Sequence, residues 1–246
     1  MSASLPHLRY FMFPGRCYAA RVAMFNAFGK DGWIDDRIGQ GQWKRLKQAA
    51  ADSRSSGVAG SPEAPCLLTN SLPELTLSDG ATRVSQSHAI ARWAARQRNV
   101  CGRAGYFDLY PTDAALDAAL LVDEAMALVD STVALAPKDA DKEERLRRRA
   151  EYKSATGGLG VAMALFERRL SSSASQSAGG GPFLLGKELS IADLYLKKPL
   201  TDMILEGQFE GVEAEWLGAN FPKVRAHSDM VAQHPLIGEY LEHYKN

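Results

Sequence analysis

Strand-forming and helix-forming patterns are separated along this chain of 246 residues. Short apolar runs closed by Gly, Pro or Asp-Gly occur in the first hundred residues, and after residue 105 only long segments of helical periodicity follow. Strands confined to one part of a chain predict a mixed domain followed by an all-helical one. The sequence therefore predicts an α/β domain over residues 1–100 and a helical domain over residues 106–246, a division that the length allows.

The first domain is predicted to follow the order strand, helix, strand, helix, hairpin, helix. Gly29 marks the end of the first helix, and Asp79-Gly80 between two apolar runs is typical of a hairpin turn. Two strand–helix–strand passages predict a parallel core with the hairpin as an antiparallel edge. The predicted elements span residues 7–13, 15–28, 33–38, 42–51, 75–77, 82–85 and 87–98.

The second domain is predicted from helical periodicity and from one capping pattern. Residues 112–135 and 142–170 form long segments of helical period, and residues 171–181 have the composition of a flexible linker. Ser190 followed by Asp193 predicts the start of a further helix, because both side chains are placed to satisfy backbone N–H groups there.

Charge and cysteine content exclude several classes of protein. Lys and Arg balance Asp and Glu at 29 each, so net charge favours neither nucleic acid nor an anionic membrane as a partner. Residues 1–99 nevertheless hold 13 basic and 7 acidic side chains, which suits a small anionic ligand. Three dispersed cysteines fit a reducing compartment, and the sequence lacks the Cys and His spacings of a metal site.

The chain is expected in the cytoplasm. Its first fifteen residues lack the apolar core of a secretory signal. The most apolar tract, residues 114–136, contains four acidic residues and is not expected to cross a membrane.

A set of short motifs, in order along nearly the whole chain, carries a family resemblance. The motifs are Tyr10-Phe11, Gly15-Arg16, Arg21, Trp43 with Lys47, Leu72-Pro73-Glu74-Leu75, Gln86-Ser87-x-Ala89-Ile90-x-Arg92, Gly186 and Ser190-x-x-Asp193. Together they resemble the cytosolic glutathione S-transferases of the tyrosine type, and the sigma class most of all. The resemblance implies a thioredoxin-like first domain of βαβαββα order, a helical-bundle second domain that contributes a hydrophobic substrate site, glutathione as co-substrate without a metal, and a homodimer.

The resemblance implies that Tyr10 is the catalytic phenol. A thiol of pKa ~8.5 is only about 3% ionised at pH 7, so a transferase must stabilise the thiolate. Tyr10 would do so by donating its O–H, and Arg16 would support the thiolate or order Tyr10. Arg21, within the first helix, is expected to be structural.

The remaining implied contacts hold the two carboxylates and the peptide backbone of glutathione. Gln86 and Ser87 begin a helix, whose N–H groups attract an anion such as the γ-glutamyl carboxylate. Trp43 and Lys47 lie four residues apart, hence on one helical face, and suit the glycyl carboxylate. The resemblance implies a cis bond between Leu72 and Pro73, beside which the Leu72 backbone would pair with the ligand.

The hydrophobic substrate is expected beside Met12 and Phe13 after the first strand and beside Tyr240 or Tyr244 near the C-terminus. Two departures from the family pattern stand out. Residues 48–70 are longer than the usual connection, and Ala127 stands where the family has an Asp that reaches the partner's ligand.

Three activities follow for the leading hypothesis, and two alternatives remain beside it. Conjugation of hydrophobic electrophiles is the first expectation, with glutathione-dependent isomerase activity (prostaglandin D synthase-like) or peroxidase activity beside it. Cys17, at the start of the first helix, offers a thiol oxidoreductase as one alternative. The other is a ligand carrier or structural protein without turnover.

Overall fold

The structure, a computed structural model, describes residues 4–55, 71–111, 115–172 and 181–244. The chain divides into two compact units, residues 1–106 and residues 107–246. The domain bounds 1–100 and 106–246 stay a prediction.

The described residues of the first unit form four strands and three helices in the expected βαβαββα order. The elements are β1 (His7–Phe11), a 3₁₀ turn (Gly15–Cys17), α1 (Tyr18–Phe28), β2 (Ile34–Ile38), α2 (Gln40–Ser55), β3 (Glu74–Thr76), β4 (Arg83–Ser85) and α3 (Ser87–Arg96). Helix α2 extends past the predicted residue 51, and the rest of the long connection over residues 48–70 lies outside the described residues.

The four strands form one sheet in the order β2-β1-β3-β4. Only β1 and β2 are parallel, because β3 runs antiparallel to β1 and β4 antiparallel to β3. The expectation of a parallel core from two strand–helix–strand passages was therefore wrong for the second passage. The chain leaves β2 and returns on the far side of β1, so β3 does not pair with β2 and can enter in the reverse direction.

Helix α1 forms the centre of this unit. All of its residues from Tyr18 to Ala27 are buried, and it packs against α3. Small alanines let the helix lie close to its neighbours, and Leu8 and Leu75 of the sheet are fully buried. Gly29 ends the helix as predicted, with a positive φ of 69° that glycine adopts readily.

The hairpin between β3 and β4 also forms as predicted. Asp79 accepts hydrogen bonds from the backbone N–H groups of Ala81 and Thr82, at 2.9 and 2.8 Å. Gly80 occupies the position with a positive φ of 71°. This turn fixes the register of β4 and hence the place where α3 begins.

The second unit contains helices and one isolated β-bridge, between Phe183 and Gly186, among its described residues. Its helices are α4 (Leu116–Leu135), α5 (Lys142–Tyr152), α6 (Gly158–Ser171), α7 (Ile191–Leu196), α8 (Asp202–Leu205), α9 (Ala214–Asn220), α10 (Pro222–Gln233) and α11 (Pro235–Tyr244). A π-helical turn (Lys197–Thr201) joins α7 to α8, and it contains Pro199, which has no N–H to donate.

The segment predicted as helical over residues 142–170 is broken into α5 and α6. A Cβ at Gly157 would lie 2.2 Å from the carbonyl oxygen of Glu151, so the chain turns where only glycine fits. Most of the predicted linker over residues 171–181 lies outside the described residues.

Asp193 is the centre of a buried polar network in the second unit. It is fully buried and accepts hydrogen bonds from the N–H groups of Leu184 and Ser190, at 2.7 and 2.8 Å. The Ser190 hydroxyl and the His227 ring also bond to it, at 2.7 and 2.8 Å. The predicted start of a helix after Ser190 is confirmed.

Within the described ranges, no helix is both long and apolar enough to cross a membrane.

Candidate active site

Three neighbouring strands bring the expected contact residues to one end of the sheet. Arg9 of β1 pairs with Glu74 of β3, which pairs with Ser85 of β4. One residue further on each of these strands, in the same direction across the sheet, come Tyr10, Pro73 and Gln86. Adjacent strands are about 4.8 Å apart, so these residues of distant sequence lie side by side.

Tyr10 is a buried, protonated phenol. Its side chain is 6% exposed, and its oxygen accepts a hydrogen bond from the backbone N–H of Arg16. Burial, together with the nearby Cys17, raises the pKa of Tyr10 to about 12, although the Arg16 N–H and the Arg16 and Arg21 cations act to lower it. Because the oxygen already accepts from Arg16 and the proton stays on, the chemistry that Tyr10 offers near pH 7 is that of a hydrogen-bond donor.

Gly15 lets the chain pass directly beside this phenol. Its φ is +41°, and a Cβ at this position would lie 3.0 Å from the Tyr10 oxygen and 3.0 Å from the Phe13 ring. Glycine is therefore required here for two reasons, its backbone conformation and the space around it.

Arg16 and Cys17 complete the turn after Gly15, and they differ in accessibility. Arg16 is half-buried, and its cation lowers the pKa of Tyr10. Cys17 is 0% exposed, and burial raises the pKa of its thiol to about 12. A nucleophilic cysteine must be accessible and ionised, so the structure argues against the oxidoreductase alternative.

Gln86 and Ser87 form the start of α3. Gln86 adopts φ 80° and ψ 113°, a conformation that is rare for a residue with a side chain. Strained backbone of this kind is held by its surroundings and clusters at functional sites. Ser87, 6% exposed, is the first residue of the ten-residue helix, where the N–H groups and the helix dipole favour an anion.

Trp43 and Lys47 share one face of α2, as predicted. The Lys47 ammonium lies 5.7 Å from the centre of the Trp43 ring. Trp43 in turn meets Phe11 edge-on at 6.2 Å, and Phe11 and Phe13 stack at 5.3 Å. This aromatic series connects α2 to the segment after Tyr10, so the structure brings Trp43 and Lys47 to the same end of the sheet.

The peptide bond between Leu72 and Pro73 is cis, as the resemblance implies. Leu72 is half-buried and Pro73 is buried, and both lie directly before β3.

The four residues expected beside a hydrophobic substrate belong to different units. Met12 and Phe13, 69% and 53% exposed, follow β1 in the first unit. Tyr240 and Tyr244 contact each other in α11 of the second unit, at 4.8 Å between ring centres, and Tyr240 is only 4% exposed. That these residues share a substrate pocket stays a prediction.

The sequence did not show how close Arg21 lies to Tyr10. It was expected to be structural, and its guanidinium lies 5.6 Å from the centre of the Tyr10 ring. The available signal was a single arginine in an otherwise apolar helix, together with an aspartate in the following strand, Asp35, which accepts a hydrogen bond from it at 2.9 Å.

The helical unit matches a known family in sequence. Residues 129–244 match the family described as glutathione S-transferase, C-terminal domain. No curated protein matches the chain in sequence.

Solved structures show the same fold as the whole chain. A glutathione S-transferase specific to the nematode C. elegans is 22% identical over 97% of this chain and 96% of its own, with a TM-score of 0.65. The prostaglandin synthase D of Nilaparvata lugens is 19% identical over 97% of each chain, with a TM-score of 0.64. Monomeric Na-GST-3 of the hookworm Necator americanus is 20% identical over 97% and 96% of the two chains, with a TM-score of 0.61.

These likenesses confirm the predicted fold class, a thioredoxin-like unit followed by the glutathione S-transferase helical unit. The glutathione S-transferase family uses glutathione as its co-substrate. Within the described part of the chain, no group of three or more His, Cys, Asp or Glu side chains is arranged to hold a metal ion.

Proposed function

We propose that this protein is a glutathione transferase in which the Tyr10 hydroxyl stabilises the thiolate of bound glutathione. One observation carries the proposal: Tyr10 is a buried, protonated phenol whose oxygen accepts the Arg16 N–H, which leaves its O–H available to donate to a bound ligand. Glutathione, when bound, supplies the sulfur nucleophile that attacks a hydrophobic electrophile.

The donor set at this end of the sheet fits a ligand with two carboxylates and one thiol. Lys47 and the Trp43 indole suit the glycyl carboxylate, and the start of α3 with the Ser87 hydroxyl suits the γ-glutamyl carboxylate. The Leu72 backbone, beside the cis bond, is proposed to pair with the cysteinyl part of the ligand.

The magnitude of the proposed effect is sufficient for catalysis at neutral pH. A charge-assisted hydrogen bond is worth about 1.5–3 kcal/mol, which lowers a thiol pKa by about one to two units. A thiol that begins at pKa ~8.5 would then be roughly one quarter to three quarters ionised at pH 7. The protein gains further rate by holding the electrophile next to this sulfur.

Conjugation is the leading activity, and isomerisation is the second. One structural neighbour is described as prostaglandin synthase D, which supports a test of glutathione-dependent prostaglandin isomerase activity. Peroxidase activity would use the same thiolate. A similarity to the sigma class remains part of the proposal. A homodimeric state is also proposed, and light scattering tests it, since one structural neighbour is described as monomeric.

The decisive experiment compares wild type with Tyr10→Phe in the conjugation of a chlorodinitrobenzene-type electrophile between pH 5.5 and 8. The variant keeps the ring but lacks the donor, so the pKa that governs the rate should rise toward ~8.5. Tyr152→Phe is the matched control, because that hydroxyl donates to the Thr132 carbonyl in the helical unit at 2.7 Å and should leave the profile unchanged.

Two outcomes would contradict the proposal. An unchanged pH profile in Tyr10→Phe would remove the phenol from its role. Retention of the wild type on immobilised glutathione without turnover of any electrophile would instead support the carrier without enzymatic activity.

A further inference from the structure

Arg21 is a fully buried cation whose hydrogen bonds converge on the segment that follows Tyr10. It is 1% exposed. Its Nη2 group donates to the carbonyl oxygen of Phe11 at 2.9 Å, and its Nη1 group donates to that of Phe13 at 3.2 Å. A planar guanidinium can hold two acceptors at a fixed separation, which a lysine ammonium does less well. Arg21 therefore fixes both ends of the three-residue segment from Phe11 to Phe13.

This segment connects the phenol to the turn that contacts it. Tyr10 precedes Phe11 directly, and Gly15 and Arg16 follow Phe13 after a single proline. A Cβ added at Gly15 would lie 3.0 Å from the phenol oxygen, and the turn supplies the Arg16 N–H to that oxygen. A shift of the carbonyl of Phe11 or Phe13 would move this N–H relative to the phenol.

The charge of Arg21 is balanced from the neighbouring strand. Its Nε group donates to Asp35 Oδ1 at 2.9 Å, and the same carboxylate accepts from Arg37 Nε at 2.7 Å through its other oxygen. Asp35 is only 8% exposed, so the pair is shielded from water and its geometry is specified by β2.

The charged and titratable groups around the phenol act in opposite directions. The cations of Arg16 and Arg21 lower the pKa of Tyr10, while burial and Cys17 raise it. Asp35 and Arg37 act on the neighbouring Cys17. The Asp35 carboxylate raises the pKa of the Cys17 thiol, and the Arg37 cation lowers it.

We propose that Arg21 is a positioning residue: together with Asp35 it holds residues 11–13 so that the Arg16 N–H stays on the Tyr10 oxygen and the phenol proton stays directed outward. The hydrogen bonds of Arg21 within the unit stand by themselves, and only the identity of the acceptor beyond Tyr10 rests on the proposed function. The competing explanation is that Arg21 and Asp35 form a buried ion pair that stabilises the first unit as a whole.

Amide hydrogen exchange of the apoprotein separates the two explanations without any ligand. Arg21→Lys retains the positive charge but loses the planar guanidinium that holds two acceptors. Arg21→Met retains the side-chain length but loses both the charge and the guanidinium. Positioning predicts that the Arg16 amide exchanges about tenfold faster in Arg21→Met, with Arg21→Lys between it and wild type. The amide of Ala94, in the buried part of α3, should exchange at the wild-type rate.

The outcomes discriminate even where one variant folds poorly. Equal acceleration at Arg16 and Ala94, in Arg21→Lys as in Arg21→Met, means general destabilisation and overturns the proposal. An unchanged Arg16 amide in Arg21→Lys with full catalytic activity also overturns it. If Arg21→Met does not fold, Arg21→Lys and Asp35→Asn decide.

A second measurement links the positioning role to chemistry. Ultraviolet absorbance measured against pH reports how much of the added glutathione is in its thiolate form. In Arg21→Lys the thiolate should form at a pH about one unit higher than in wild type. At a pH below both midpoints this shift is a tenfold loss of thiolate. A wild type that binds no glutathione would refute the proposed function, while the exchange result would still decide the role of Arg21.

Discussion

Gly15→Ala tests the contact between the turn and the Tyr10 phenol. An alanine at φ +41° pays the strain of the left-handed region, about 1–2 kcal/mol. For a chain of this length that strain lowers Tm by roughly 2–8 °C. The new methyl group would also lie 3.0 Å from the phenol oxygen and from the Phe13 ring, so both must move by a few tenths of an ångström.

The displacement should appear in catalysis as well as in stability. A misplacement of 1 Å can reduce a rate by about a hundredfold, so a few tenths of an ångström predict a loss of roughly three- to tenfold in kcat/KM. The assay is conjugation of a chlorodinitrobenzene-type electrophile, with Tm measured on the same samples.

Gly80→Ala is the matched control for backbone strain without the contact. Its φ is +71°, and a Cβ there would meet only Ser4 Oγ, at an ordinary 3.8 Å. It should lose a similar amount of Tm and keep kcat/KM. If the two variants lose equal stability and neither loses activity, the close approach of the turn to Tyr10 has no catalytic importance.

Two further predictions concern buried ionisable groups. Asp193→Asn leaves at least one of its buried donors without an acceptor and should lower the free energy of unfolding in urea by about 2–4 kcal/mol. The control is Asp229→Asn, in an exposed pair with Arg225, which should change this free energy by less than ~0.5 kcal/mol. Equal effects of the two substitutions would contradict the importance of the network. Burial raises the pKa of Cys17 from 9.0 to about 12, so the thiol ionises at a lower pH in the unfolded chain than in the folded protein. The contribution of the neutral buried thiol to stability is therefore present below about pH 9 and is lost as pH rises above it. Cys17→Ala should make the decline in unfolding free energy between pH 8 and 10 shallower, whereas Cys101→Ala, at an exposed position, should not; identical slopes in all three proteins would refute the shift.

Local patterns predicted the elements that local interactions specify. Gly29 ends α1 and Asp79-Gly80 makes the hairpin because each acts through its own backbone conformation, which is independent of the rest of the fold. The start of the helix after Ser190 was predictable for the same reason, since both capping partners are three residues apart.

Features that depend on residues distant in sequence were not predictable in this way. The direction of β3 depends on which side of β1 the chain returns to, and the apolar pattern of a strand does not specify that side. The interruption between α5 and α6 depends on the backbone of Gly157 meeting Glu151, which helical periodicity does not register.

The candidate site shows the same division. The motif residues from Tyr10 to Ser87 were recognised from their order in the sequence, and the sheet register brings several of them side by side. Arg21 was expected to be structural, and its burial fits that expectation, but only the fold reveals that its acceptors are Asp35 and two carbonyl groups of the first loop.

The strand order β2-β1-β3-β4 means that the groups proposed to hold glutathione come from four separate stretches between residues 10 and 87. No short fragment of the chain contains them all, and the pairing of β3 with β1 and of β4 with β3 brings Pro73 and Gln86 beside Tyr10. Elution of this protein from a glutathione column would therefore certify assembly of its whole first unit, and a collection of random variants could be sorted for correct folding by that one step.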